Sequence, residues 1–183
     1  ARMPPKTIIT NHAGNFAIWV HRFYRYTGFR TQLAPTSGAM GYGVPSAVAA
    51  KLVHPERPVL AFCGDGGFMM TGQELATAVQ YDLPIVVLVI NNGMYGTIRM
   101  HQEREYPGRI SGTALRNPDF AALARAYGAH GDCVTTTAEF EPAQERTFAS
   151  AKPAVIEIRI DPEAITPRAT LSGIRAEALK AKR

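Results

Sequence analysis

A chain of 183 residues, 46% of them hydrophobic, can bury a sizeable core, and its length fits a single domain better than two. Its 16 Gly and 13 Pro stand singly between apolar runs, and its 20 Lys and Arg, behind a net charge of +5, are spread along the whole chain, which argues against a repeat array and a nucleic-acid surface. Cys63 and Cys133 lack metal-ligand spacing, the first residues carry no apolar leader, and no run reaches the roughly twenty apolar residues of a membrane span, so a soluble, reducing, cytoplasmic setting is expected.

In chain order, short apolar runs alternate with helical patterns. Residues 7–10 read as a strand, followed by Gly14-Asn15-Phe16 and a helix over 16–24. A glycine-rich stretch, Thr36-Ser37-Gly38-Ala39-Met40-Gly41-Tyr42-Gly43-Val44-Pro45, leads into a helix over 45–53. The next strand, 59–63, runs into Gly64-Asp65-Gly66-Gly67. Thr71 with Glu74 has the spacing of a capping box and predicts a helix over 72–81. The run 84–90 contains Ile85-Val86-Val87-Leu88-Val89-Ile90 without polar alternation, which predicts a strand covered on both faces. It ends in Asn91-Asn92-Gly93-Met94-Tyr95-Gly96, after which a helix is expected to cover Ile98 to Arg104.

Asn117-Pro118 reads as N-cap and first-turn proline of a helix over 119–127, ended by Gly128. A weaker strand near 129–134, a helix over 139–150 and a strand over 154–160 complete the alternation. The basic end, from Ile174 to Arg183, reads as a solvated helix. Such alternation predicts a three-layer α/β/α domain with a mainly parallel sheet.

Two loops carry candidate chemistry. In Gly64-Asp65-Gly66-Gly67 the glycines let a ligand approach the backbone and Asp65 offers a hard oxygen, although the same residues also suit a plain strand-to-helix turn. The Asn91-Asn92-Gly93 turn is by itself ordinary. A parallel crossover separates the two loops by one helix and one strand, which places them side by side at one sheet edge.

These segments, with Asp65 and Asn92 27 positions apart, resemble the thiamine diphosphate (ThDP) motif of the superfamily of acetolactate synthase, pyruvate decarboxylase and benzoylformate decarboxylase. The resemblance covers nearly the whole chain and identifies it as the C-terminal, pyrophosphate-holding domain, with the ThDP-binding fold. It implies a Mg2+ ion on the Asp65 carboxylate, the Asn92 side-chain oxygen and the Met94 carbonyl, completed by diphosphate oxygens and water. Backbone groups at Gly64, Gly66, Gly67, Gly96 and Thr97, and the side chain of Asn15, would hold phosphate charge. Asn15 also reads as a simple helix cap.

In the same resemblance Met40 is an apolar wedge beneath the bent cofactor, and the Gly38 carbonyl accepts from its 4′-amino group. Those two would be the catalytic contributions of this chain, since no protein nucleophile is implied and Cys63 reads as core. Ile98, His101 and Gln102 are the candidates to face substrate. Synthases usually carry Trp where this chain has His101, so the choice between carboligation and decarboxylation stays open. The other histidines, His12, His21, His54 and His130, read as structural or exposed.

The superfamily also uses a pyrimidine-binding domain whose Glu activates ThDP across a dimer interface, and no such domain lies in these residues. The chain therefore reads as a fragment or a small subunit, inactive alone, that works with such a domain in a homodimer or tetramer. The implied activity is decarboxylation of a small 2-oxo acid followed by protonation or carboligation. The other reading is a non-catalytic ThDP or diphosphate-binding module dependent on a partner. A dinucleotide-binding dehydrogenase is disfavoured, because no Gly-x-Gly-x-x-Gly follows the first strand.

Overall fold

The computed structural model describes residues 3–182. Ala1 and Arg2, and Arg183 at the end of the expected terminal helix, lie outside the described residues.

Six parallel strands form one sheet: β1 (Ile8–Asn11), β2 (Gln32–Leu33), β3 (Val59–Gly64), β4 (Ile85–Asn91), β5 (His130–Val134) and β6 (Ala154–Arg159), in the order β2-β1-β3-β4-β6-β5. Five match sequence expectations to within a residue or two. β2 was missed, because two residues without an apolar run carry no periodic signal.

Side-chain alternation sorts the core into two layers. Val59, Ala61 and Cys63 of β3 and Ile85, Val87 and Val89 of β4 face one cluster, which also holds Val44, Phe68, Leu75 and Phe120. Leu60 of β3 and Val86 and Leu88 of β4 face the other, with Val20 and Ala143. Helices therefore cover both faces: α2 (Gly43–Val53), α4 (Leu75–Gln80) and α6 (Phe120–Ala126) on the first, α1 (Phe16–Phe23) and α7 (Thr137–Ser150) on the second.

Two expected helix starts are corrected. The Thr71–Glu74 pair is not a capping box: α3 (Asp65–Thr71) begins directly after β3, and a 3-10 turn, Gly72–Glu74, links it to α4. The Thr71 hydroxyl instead donates to the Gly41 carbonyl at 2.8 Å, while Glu74 accepts from Thr77. Nor does Asn117 cap α6; Asp119 does, accepting from the Ala122 N–H at 2.8 Å. The reciprocal capping box in this fold belongs to α7, between Thr136 and Glu139.

α5 (Gly96–Glu105) follows β4, and α8 (Leu171–Ala181) lies against it. α8 is not simply solvated. Leu171 and Ile174 are buried with Met100 and Ile165, and Arg175 reaches Glu103 with N–O distances of 2.6 and 2.7 Å. Arg175, joined by Arg99 and the Gly108 N–H, holds the Glu103 carboxyl down at about 2. No described helix is long and apolar enough to cross a membrane.

Ile85, fully buried in the first layer, tests this packing. Ile85→Ala is expected to lower unfolding free energy by about 2–5 kcal/mol through lost transfer and an unfilled cavity. Urea denaturation measures it, and a loss below about 1 kcal/mol would contradict a close-packed central strand.

Candidate functional site

Because all six strands run the same way, the loops leaving β1, β3, β4 and β6 gather at one edge of the sheet. The strand order reverses between β1 and β3, the place where such sheets open a crevice. There the structure has a cavity of about 360 Å³. Its walls are largely apolar, with Phe16, Trp19, Phe62, Ile90 and Ile165 among them, and Asp65, Asn92, Asn15 and Thr97 bring polar groups to it.

Asp65 opens α3 and is only 3% exposed. Its Oδ1 accepts the Gly66 N–H at 2.9 Å, and its Oδ2 accepts the Gly93 N–H at 2.9 Å and the Asn117 side-chain N–H at 2.7 Å. Burial pushes its carboxyl up from the ordinary value, and the bonds from Asn117, Gly66 and Gly93 pull it back. Gly66 is fixed by close approach: a Cβ there would lie 2.4 Å from the Tyr95 ring. Gly93 takes the left-handed conformation, φ 69°, that turns its N–H toward Asp65.

Asn92 and Met94 also line the cavity, and the Asn92 Oδ1 accepts the Met94 N–H at 3.2 Å. The donor set fits a small hard cation. Oδ2 of Asp65 already accepts two hydrogen bonds, whereas Oδ1 of Asp65 and Oδ1 of Asn92 each accept one and keep a lone pair. Among the described residues there is no group of three His, Cys, Asp or Glu that would make an all-protein cage. Oxygens of this kind, with room for ligand phosphates and water, suit Mg2+.

The other expected residues divide. Gly64, Gly66, Gly67, Gly96, Ile98 and Met40 border the cavity with the residues above, whereas Gly38 and His101 do not. The Gly66 N–H is engaged by Asp65, which leaves the backbone of Gly67, Gly96 and Thr97 to meet an anion. Asn15 is not a side-chain cap for α1: its N–H donates to the Thr97 hydroxyl at 3.1 Å and its Oδ1 accepts from that hydroxyl at 3.0 Å, tying the first loop to α5. His101 is exposed, with Nδ1 3.4 Å from Arg104. Cys63 is fully buried and its thiol is pushed well above its ordinary value by burial, which leaves it no thiolate at neutral pH.

Three residues that shape the site gave no functional signal in the sequence. Asn117 was masked by its position before Pro118, and Thr71 by its spacing from Glu74. The third, His12, is fully buried in a slot between Gly43 and Gly67, where a Cβ would lie 2.3 and 2.4 Å from its ring. Its Nδ1 faces the Gly41 N–H at 3.3 Å and its Nε2 the Val44 N–H at 3.4 Å. With the Thr71 hydroxyl on the Gly41 carbonyl and the Ala13 N–H on the Ala39 carbonyl at 3.2 Å, His12 pins the loop that carries Met40.

An α/β domain with paired Asp and Asn oxygens beside an apolar crevice at the switch point of its sheet belongs to the class that takes phosphorylated cofactors. The comparisons narrow that class. The model of the thiamine pyrophosphate enzyme C-terminal TPP binding domain matches residues 12–158, and the chain belongs to this family. It is 36% identical over 163 residues to the probable acetolactate synthase large subunit of Methanocaldococcus jannaschii, covering 88% of this chain and 28% of that protein. Against the acetolactate synthase isozyme 2 large subunit of Escherichia coli K12 the identity is 33%, covering 87% and 30%. The solved thiamine diphosphate-dependent 4-hydroxybenzoylformate decarboxylase of Rhodococcus jostii RHA1 superposes with a TM-score of 0.81 at 31% identity, covering 86% of this chain and 30% of that one. The chain thus spans under a third of the length of these relatives.

His12 makes the site's architecture sensitive to acid. Burial lowers its pKa from 6.5 to about 4, so the folded ring stays neutral, accepting from one of the two backbone N–H groups it faces, while the unfolded one takes up a proton. Stability present above pH 6.5 should be lost as pH falls through 6.5 toward about 4, by about 3 kcal/mol in all. Denaturation at several pH values should show a shallower slope in this window for His12→Asn, and equal slopes would contradict a buried neutral ring.

Proposed function

We propose that this chain is the Mg2+- and ThDP-holding domain of an enzyme that decarboxylates a small 2-oxo acid and then protonates the product or joins it to a second carbonyl. The observation that carries this reading is the convergence of Asp65 and Asn92, from two successive strand ends, on one apolar cavity. ThDP, when bound, supplies the carbon nucleophile and the electron sink that the reaction requires.

The residues of this chain bind and orient it. Asp65, Asn92 and the Met94 carbonyl offer hard oxygens to Mg2+. The first turn of α5, at Gly96 and Thr97, offers N–H groups to diphosphate, with Asn15 behind them. Met40 stands at the rim, 36% exposed, between Gly38 and Gly41 with φ of 69° and 82°. Its side chain is the wedge against the cofactor, and the Gly38 carbonyl is the acceptor for the 4′-amino group. Ile98, half exposed at the start of α5, is the apolar contact for substrate, and His101 one turn along is the polar one.

The partner in this reading is a pyrimidine-binding domain or subunit with an activating Glu, in a homodimer or tetramer; the relatives' greater length supports further domains. The alternative of a non-catalytic module has no observation of its own in its favour. Titration of ThDP into the natural full-length protein should give binding with Mg2+, none with EDTA, and a loss of at least about 100-fold with Asp65→Ala. Binding indifferent to both changes would refute the site.

A further inference from the structure

Asp65 does not stand alone under the cavity. The Asn117 Nδ2 lies 2.7 Å from Asp65 Oδ2 and 2.9 Å from Asn91 Oδ1, two acceptors that admit only the N–H end of its amide and so fix its orientation. Asn91 is fixed in the same way: its Oδ1 also accepts the Gly93 N–H at 3.0 Å, and its Nδ2 donates to Glu157 Oε1 at 2.8 Å. Glu157 is fully buried and accepts from Arg159 at 2.9 Å. A connected chain of hydrogen bonds therefore joins Arg159, Glu157, Asn91, Asn117 and Asp65, in which Oε1 of Glu157 accepts from both of its neighbours, its Oε2 is buried without a partner, and Asn117 donates to both Asn91 and Asp65.

We infer that Asn117 is a positioning residue that makes Asp65 a one-oxygen metal ligand and thereby sets which divalent cation the site accepts; this rests on the reading of Asp65 as a metal ligand given above. With the Gly93 N–H and Asn117 on Oδ2, both of its lone pairs are occupied, and only Oδ1 can reach a cation. One-oxygen coordination fits the compact octahedron of Mg2+. Ca2+, with its longer bonds and six to eight oxygens, takes carboxylates through both oxygens readily. Removing Asn117 frees one lone pair of Oδ2 and lets the carboxylate swing toward two-oxygen contact.

The experiment is calorimetric titration of ThDP into the natural full-length protein with Mg2+ or with Ca2+ as the sole divalent cation, for the wild type, Asn117→Ala and Asn117→Ser. The serine variant carries the measurement if the alanine variant does not fold. Mg2+-supported affinity is expected to fall about 10- to 100-fold, the usual effect of losing an outer partner of a metal ligand. Ca2+-supported affinity should fall much less, so the Mg2+/Ca2+ ratio moves by at least about 10-fold. A general loosening of the fold would lower both affinities alike, so an unchanged ratio overturns the inference while leaving the metal site standing. Wild-type binding that ignores divalent cations overturns the site reading and this inference together.

Discussion

A carboxylate taken almost wholly out of water has to be compensated, and Asp65 is the group around which the upper edge of this sheet is arranged. Its two oxygens receive three N–H donors from three separate segments: the turn into α3, the loop after β4 and the loop before α6. Burial still pushes its carboxyl up despite these bonds, so the folded chain holds a site that a bound cation would relieve. Groups kept at such a disadvantage are found where a protein binds or reacts. The glycines nearby follow from the same constraint, since Gly66 must let Tyr95 close in and Gly93 must turn its N–H inward.

Below this edge the sheet supplies rigidity. β3 and β4 are buried on alternating faces by helices on both sides, which fixes where their ends emerge to within the register of six paired residues. Asp65 and Asn92 each lie one residue past those ends, so their separation is set by strand pairing and not by loop conformation. Met40 arrives differently, on an irregular loop pinned by His12, Thr71 and Ala13. Glu103 plays a related part, joining α5 to α8 through Arg175 while Arg99 of its own helix holds the same carboxylate.

What the sequence revealed follows from these differences. The long apolar run of β4 and the glycine-flanked Asp65 are local signals, legible because periodicity and turn chemistry act over a few residues. The three-layer architecture followed from the alternation alone. Asn117 and Thr71 misled because each sits at the right spacing for a helix cap, while tertiary partners, Asp65 and Gly41, take their side chains instead. His12 offered no pattern at all: its slot is made by Gly43 and Gly67, far along the chain, and only folding joins them. Likewise the basic C-terminal helix hid an apolar face, because Leu171 and Ile174 are too few to make a clear stripe.

The most direct test of the central claim is a crystal structure of the full-length protein with Mg2+ and ThDP. A metal should stand about 2.1 Å from Oδ1 of Asp65 and from the Asn92 side-chain oxygen, with Oδ2 of Asp65 still on Asn117 and Gly93. A cofactor seated in the crevice with its metal elsewhere, or with no metal at Asp65, would contradict that claim.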